Sequence, residues 1–382
     1  MIIFALMYLP PIPDSIKLAL FICCCAVITI QLFYYLYFFR RFAWYHPKVK
    51  SESQEYPVSV IVCSRNEAEN LVKYLPGILV QNYRTTHEVI VVNDNSADET
   101  KYILEEFQRT FKNMNTVVLK QEAKLIPGKK FPLSVGIKTA KYEIVLLTDA
   151  DCVPASEYWI QKMQDGYHNG IEIVLGYGAY QKRKGLLNKF VRFETFHSAL
   201  QYFSFALAGM PYMGVGRNLS YKKGLFFKNK GFSSLNRIQS GDDDLFINMV
   251  ATKNNTAIVI DKDAHTLSEP PKTWGNWLNQ KYRHYTTAKF YKPRHKFYLG
   301  LYSFMYTLSY PLLIAALFYN WKISLVIFGG KLIIQGIIWY KSMKKLDEAG
   351  LWPFFLFFDI WMFFYYLLFV PALWKRPKKN WA

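Results

Sequence analysis

The chain has 382 residues, with 47 Lys and Arg against 28 Asp and Glu, 52% apolar residues and 18% aromatic ones. That apolar content can offset the entropy of folding, which excludes a disordered chain, and five cysteines without zinc-type spacing, three of them adjacent in an apolar run (Cys23, Cys24, Cys25), exclude a disulfide-built module. The net charge of +19 invites a nucleic-acid reading, but no nucleic-acid module appears, and the basic clusters border long apolar runs, so an anionic membrane surface is the expected partner.

Residues 18–39 carry no charge and exceed the ~20 residues needed to cross the hydrocarbon. Only Lys17 precedes them, unlike the basic start of a cleaved signal. Arg40, Arg41, Lys48 and Lys50 follow at once, which predicts an outside N-terminus and a cytosolic chain after residue 40.

Residues 55–295 read as an α/β domain. Short β-branched runs predict strands at 58–63, 88–92, 116–120 and 144–147, and helical spacing falls at 66–79, 96–111 and 133–140. This alternation predicts a doubly wound parallel sheet with ligands at the carboxyl ends of its strands. Polar residues cluster there: Ser64-Arg65-Asn66-Glu67, Asn93-Asp94-Asn95-Ser96 and Asp149-Ala150-Asp151. Ser96 and Asp98 also suit helix caps. Asp149 and Asp151, at i and i+2 after an apolar strand, can both reach one hard cation such as Mn²⁺ or Mg²⁺.

Residues 191–213 are aromatic and amphipathic (Phe193, Phe196, Tyr202, Phe203, Phe205). A core helix is the first reading. An interfacial helix is the second, because Lys182, Arg183, Lys184, Lys189 and Arg192 lie just before or within its start. Apolar runs return at 298–318, 323–340 and 351–373, the last containing Asp359, read as a helix-packing acid. Three C-terminal spans would put Lys375, Arg376, Lys378 and Lys379 outside, against the positive-inside preference. One of the three is therefore a candidate for a re-entrant or interfacial segment, and the parity stays open.

In this order, VSVIVCSRNEAENL (58–71), VVNDNSADET (91–100), GKKFPLSVGIKTAKYEIVLLTDADCVP (128–154), SGDDDLFI (240–247) and QKYRH (280–284) resemble a family 2 glycosyltransferase. The resemblance covers about residues 55–290 and is to membrane-anchored enzymes such as ceramide glucosyltransferase and bacterial synthases. It implies a Rossmann-like GT-A catalytic domain (41–297) between an N-terminal anchor (1–40) and C-terminal membrane or interfacial helices with a basic tail (298–382). It also implies a nucleotide-sugar donor, Mn²⁺ or Mg²⁺, and a lipid or glycan acceptor. Asp94 matches the acid that bonds uracil, and Lys129 a lysine near the nucleotide. Asp149 and Asp151 match the D-x-D pair, Asp151 as the direct metal ligand. Arg65 and Glu67 fall at the donor end of the first strand, and Gly216 and Arg217 in GVGRNLSYKK (214–223) resemble the floor beneath the donor sugar. Asp243 matches the base of the E-D motif, with Asp242 and Asp244 one register away. Gln280, Arg283 and His284 resemble Q-x-x-R-W, with His in place of Trp.

A diphosphate leaving group builds negative charge, which a divalent cation and a guanidinium stabilise. The expected activity is inverting transfer of a sugar, UDP-linked, to a hydroxyl of a lipid or glycolipid at the cytosolic face of a plasma or inner membrane. A processive polysaccharide synthase is the alternative, and a non-catalytic membrane scaffold the reading from another class.

Overall fold

The computed structural model describes residues 13–47, 55–120, 128–168, 170–238 and 240–373. Lys48, Lys50 and the basic tail Lys375, Arg376, Lys378 and Lys379 lie outside the described residues.

The four strands read from the sequence form: β1 Val58–Ser64, β2 His87–Asp94, β3 Met114–Leu119 and β4 Ile144–Asp149. All seven β1 residues are buried, as expected of a strand covered by helices on both faces. The helices α2 Ala68–Leu79, α3 Thr100–Thr110 and α4 Lys130–Thr139 connect them. With β6 (Ile173–Leu175), β8 (Leu219–Lys222) and β9 (Thr256–Ile258), the sheet order is β3-β2-β1-β4-β8-β6-β9. The chain winds outward from β1 to β3 and returns to lay β4 on the other side of β1. That reversal opens a crevice at the carboxyl ends of β1 and β4.

The expectation of a purely parallel sheet is corrected beyond β4. There β8 (Leu219–Lys222) runs antiparallel to both β4 and β6 (Ile173–Leu175), and β9 (Thr256–Ile258) pairs parallel with β6. A second small sheet, β5-β10-β7, joins Cys152–Pro154, Thr266–Ser268 and Gly178–Tyr180.

The aromatic segment becomes α6, Leu186–Leu207, and most of it is buried. It is the core helix of the first reading, wedged between the α/β domain and the apolar helices. Its rings stack on theirs: Phe205 on Phe38 at 4.4 Å and Phe193 on Phe358 at 4.1 Å. Three of the basic residues near its start pair with acids. Lys182 pairs with Asp347, Arg183 with Glu269, and Arg192 with Glu348.

Among the described residues three helices are long and apolar enough to cross a membrane: Asp14–Ala43 (α1), Pro293–Lys345 (α10) and Ala349–Phe369, whose α-helical part is α11, Phe355–Phe369. α10 contains two of the expected runs. Asn320 has φ −152° and ψ 96°, outside the helical region. The rings of Tyr310 and Phe328 lie 5.7 Å apart, whereas a straight helix would separate them by about 27 Å. α10 is therefore a hairpin that reverses at Asn320.

α11 does not lead away from the α/β domain. Before it, Glu348 binds Arg192. Along it, the Tyr365 hydroxyl donates to Glu194 at 3.2 Å, and Gln201 donates to the Tyr366 hydroxyl at 3.3 Å. At its end Phe369 meets Tyr285, ring to ring, at 5.2 Å. Asp359 serves packing, as expected: it pairs with Lys331 at 3.3 Å and accepts from Gln335, Tyr306 and Tyr310.

Candidate active site

The crevice between β1 and β4 is where the site assembles. In register, Cys63 faces Asp149 across the two strands. The loops after β1 and β2 hold each other: Asn66 N donates to Ser96 Oγ at 2.9 Å, and Ala68 N donates to Asp98 Oδ2 at 3.1 Å. Asp98 Oδ1 also accepts from Thr100 N at 3.1 Å. Asp98 thus caps two helices, its own and α2, and this fixes the loop that carries Arg65 and Glu67.

Asp149 ends β4 and Asp151 follows after one residue. Their oxygens and the Cys152 sulfur lie within 4.8 Å of one another. Burial alone would raise Asp149, but Lys129, which is ion-paired to it, together with Arg217 and Arg283 holds it below the ordinary carboxyl range. Burial and then the Asp149 charge push Asp151 the other way, up. Burial, then both carboxylates, keeps the Cys152 thiol protonated well above its usual range, and it sits 2.9 Å from Ser268 Oγ. The donors on offer are hard carboxylate oxygens, the set that fits Mn²⁺ or Mg²⁺.

Arg217 is clamped beside them. Its guanidinium donates to Gly178 O at 2.9 Å and Ser268 Oγ at 3.2 Å, and lies 4.3 Å over the Tyr180 ring. Tyr180 also bonds Gln280, whose Nε2 donates to the Tyr180 hydroxyl at 3.1 Å. Gln280, Arg283 and His284 stand on α9, Trp274–Tyr285, started by Thr273, whose Oγ1 accepts from Asn276 N at 3.2 Å. The His284 ring faces the open cavity, yet the enclosing walls, then Lys281 and Arg283, hold its imidazole far below the ordinary value.

The three adjacent acids divide their work. Asp244 is buried and bound on both oxygens, accepting from Leu245 N at 2.7 Å, Thr287 Oγ1 at 2.5 Å and the Tyr291 hydroxyl at 2.8 Å. Asp243 caps α8 (Asp244–Val250), accepting from Asp244 N at 2.7 Å, and its other oxygen accepts from Gly216 N at 2.8 Å. A Cβ at Gly216 would lie 3.3 Å from that oxygen, so the absent side chain permits the approach. Burial, then the charges of Asp242 and Asp244, pushes Asp243 up to about 7. Asp242 lines the cavity beside it.

One cavity of about 1130 Å³ gathers Arg65, Glu67, Lys129, Asp149, Asp151, Gly216, Arg217, Asp243, Gln280, Arg283 and His284 in its walls. Asp94 is the exception. It ends β2, is fully buried, and does not line the cavity among the described residues. Its partner in register is Leu119, just before residues 121–127, which lie outside the described ones.

Sequence reasoning missed Tyr180, Ser268 and the buried pair Lys281–Glu194 that ties α9 to α6. A lone acid in an aromatic helix was the available signal for Glu194. Tyr180 and Ser268 sit in three-residue strands with no pattern of their own.

The Glycosyl transferase family 2 profile matches residues 59–218, and the Glycosyl transferase family group 2 profile matches residues 144–373, more than half of the chain. The chain belongs to the family 2 glycosyltransferases, and its architecture is the GT-A fold. Among its relatives, the probable glycosyltransferase YdaM of Bacillus subtilis is 25% identical over 283 residues, covering 69% of this chain and 64% of that protein. The poly-beta-1,6-N-acetyl-D-glucosamine synthase of Staphylococcus epidermidis is 36% identical over 108 residues, 28% of this chain and 24% of that one. The beta-monoglucosyldiacylglycerol synthase of Trichormus variabilis is 27% identical over 139 residues, 36% and 28%. The chain thus covers less than two thirds of each of these relatives. The mannosyltransferase PcManGT from Pyrobaculum calidifontis, solved with GDP-Man and Mn²⁺, shares the fold at a TM-score of 0.57 and 18% identity, over 91% of this chain and 99% of that one.

Proposed function

We propose that the protein transfers a sugar, with inversion, from a UDP-linked donor to a hydroxyl of a membrane lipid or glycolipid at the cytosolic face. The observation that carries this reading is the continuity of the cavity. The same space is lined by Asp149 and Asp151 at one end and by Leu299, Phe304, Tyr366 and Val370 of the apolar helices at the other. An acceptor anchored in a bilayer reaches the carboxylates without leaving it.

Asp149 and Asp151 would hold Mn²⁺ or Mg²⁺, which supplies charge neutralisation for a diphosphate leaving group. Lys129, Arg217 and Arg283 add fixed positive charge around the same point, and Arg matches phosphate oxygens with a two-pronged donor set. Gln280 and His284 flank Arg283. Asp243 is the base. A hydroxyl must lose its proton as it attacks, and a carboxyl raised to about 7 is matched to that task at neutral pH. Asp242 stays beside it as a like charge, and Asp244 is committed to Thr287 and Tyr291. The placement of α11 along α6 and α9 supports a chain end on the catalytic domain's side of the membrane, with α1 crossing once and α10 crossing as a hairpin. The positive-inside preference of the tail agrees.

The test is nucleoside diphosphate release by detergent-purified protein over UDP- and GDP-sugars, with and without native lipid extract. Lipid-stimulated release with a UDP-sugar is expected. Release that ignores lipid would reject the acceptor. A polymerising reading is favoured by the 36% identity to a polysaccharide synthase, and product size separates the two.

A further inference from the structure

We propose that one hydrocarbon chain of the acceptor lipid lies in a blind groove on the first half of α10, with Gly300 as its floor. This rests on the lipid-acceptor reading and says how that lipid is held. Leu299, Gly300, Ser303, Phe304 and Thr307 line the cavity. Their spacing puts them on one helical face. The other face is committed to packing: Tyr302 bonds His197 at 3.2 Å, and the Tyr306 hydroxyl donates to Asp359 O at 3.1 Å. Tyr366, Phe369 and Val370 line the same cavity, and Tyr366 packs its ring on Tyr302 and Tyr306.

Gly300 is helical, so no backbone strain requires a glycine there, and a Cβ would meet nothing within 4 Å. Glycine in a helix interior is disfavoured against alanine. The space it leaves is part of the groove. From Leu299 to Thr307 the helix rises about 12 Å, most of one leaflet of a ~30 Å hydrocarbon core. The groove opens sideways to lipid, where Phe304 is 58% and Val370 41% exposed. Lys296, one turn above, lines its mouth.

The deep end is closed. Tyr310, the next residue on the same face, bonds Asp359 and packs its ring 5.4 Å from Phe363. A polymer channel would have to continue past this point, whereas a lipid chain ends there.

The experiment uses the full chain in phosphatidylcholine nanodiscs containing a diacylglycerol with a diazirine in one acyl chain. Irradiation followed by peptide mass spectrometry should place crosslinks within residues 299–307 and 366–370. Gly300→Phe should abolish them. Gly330→Phe should not, because Gly330 also meets nothing within 4 Å but lies outside the cavity lining. For the lipid acceptor, Gly300→Phe should lower kcat/KM by about 10–200-fold, the scale of a pocket mismatch, with donor affinity unchanged. Crosslinks confined to the outward face of α11 at Leu356, Ile360 and Leu367, or unaffected by Gly300→Phe, would overturn the groove. If groove crosslinks form but wild-type nucleotide release ignores lipid, the groove stands and the acceptor reading falls. If release is lipid-stimulated without groove crosslinks, the reverse holds.

Discussion

Replacing Asp243 by Asn removes the charge of the proposed base and keeps one carbonyl oxygen. The native carboxylate uses both oxygens as acceptors, one for Asp244 N at 2.7 Å and one for Gly216 N at 2.8 Å. Asn satisfies one and turns its amide donor toward the other N–H, losing a charged hydrogen bond worth about 1.5–3 kcal/mol. Relief of repulsion from Asp242 and Asp244 offsets part of that cost. The fold and donor affinity should therefore survive, while transfer falls by ~10²–10⁴-fold, the scale of a lost general base. The wild-type pH profile carries the sign. A carboxyl raised to about 7 is protonated below that pH and ionised above it, and a base must be ionised. Transfer should therefore fall as pH drops through about 7, and Asp243→Asn should lack that limb. The assay is initial-rate nucleotide release against pH, with donor affinity by calorimetry. Asp243→Asn turning over near the wild-type rate with the limb intact would refute the reasoning. Asp244→Asn is the contrast, because a single carbonyl oxygen cannot accept both from Leu245 N on one side and from Thr287 and Tyr291 on the other, and it should lower thermal stability without removing the limb.

Four further outcomes follow from the same contacts. EDTA should abolish turnover and Mn²⁺ or Mg²⁺ restore it; full activity in metal-free protein would remove Asp149 and Asp151 from that role. Asp94→Ala should weaken UDP by about 1.5–3 kcal/mol if the buried strand-end acid bonds the base, and equal affinity by calorimetry would take Asp94 out of the site. Arg192→Ala leaves Glu348 buried without its ion-pair partner, at a cost of about 3–5 kcal/mol in thermal unfolding, and an unchanged transition would show the pair is no joint. In a cysteine-replaced background, Asn320→Cys should label from outside intact cells and Lys344→Cys should not; the opposite pattern would invert the topology.

Much of this was legible in the sequence because it is local. The strands from Val58 to Asp149 are short apolar runs, and the polar ends of β1 and β4 became the rim of the crevice. The QKYRH segment fell on one helix, and five of the site's acids sit in two short motifs. What could not be read depends on pairing between distant segments. β8 enters antiparallel beside β4, more than sixty residues earlier, and β5, β7 and β10 are three residues each, too short for periodicity. The reversal at Asn320 sits in a continuous helical pattern, and α11 is as apolar as a span. Only the Glu348–Arg192 pair before it and its own contacts with Glu194 and Tyr285 show that it returns to the α/β domain. The bonds that commit Asp244 come from Thr287 and Tyr291, more than forty residues away.

The central claim is inverting transfer to a lipid hydroxyl. The most direct measurement is the anomeric configuration, by NMR, of the lipid-linked product formed by purified protein from a UDP-α-sugar and native lipid extract. A single β-linked sugar on a lipid hydroxyl is the expected result. An α-linked product, a water-soluble polymer, or no sugar on lipid while nucleotide is released would contradict it.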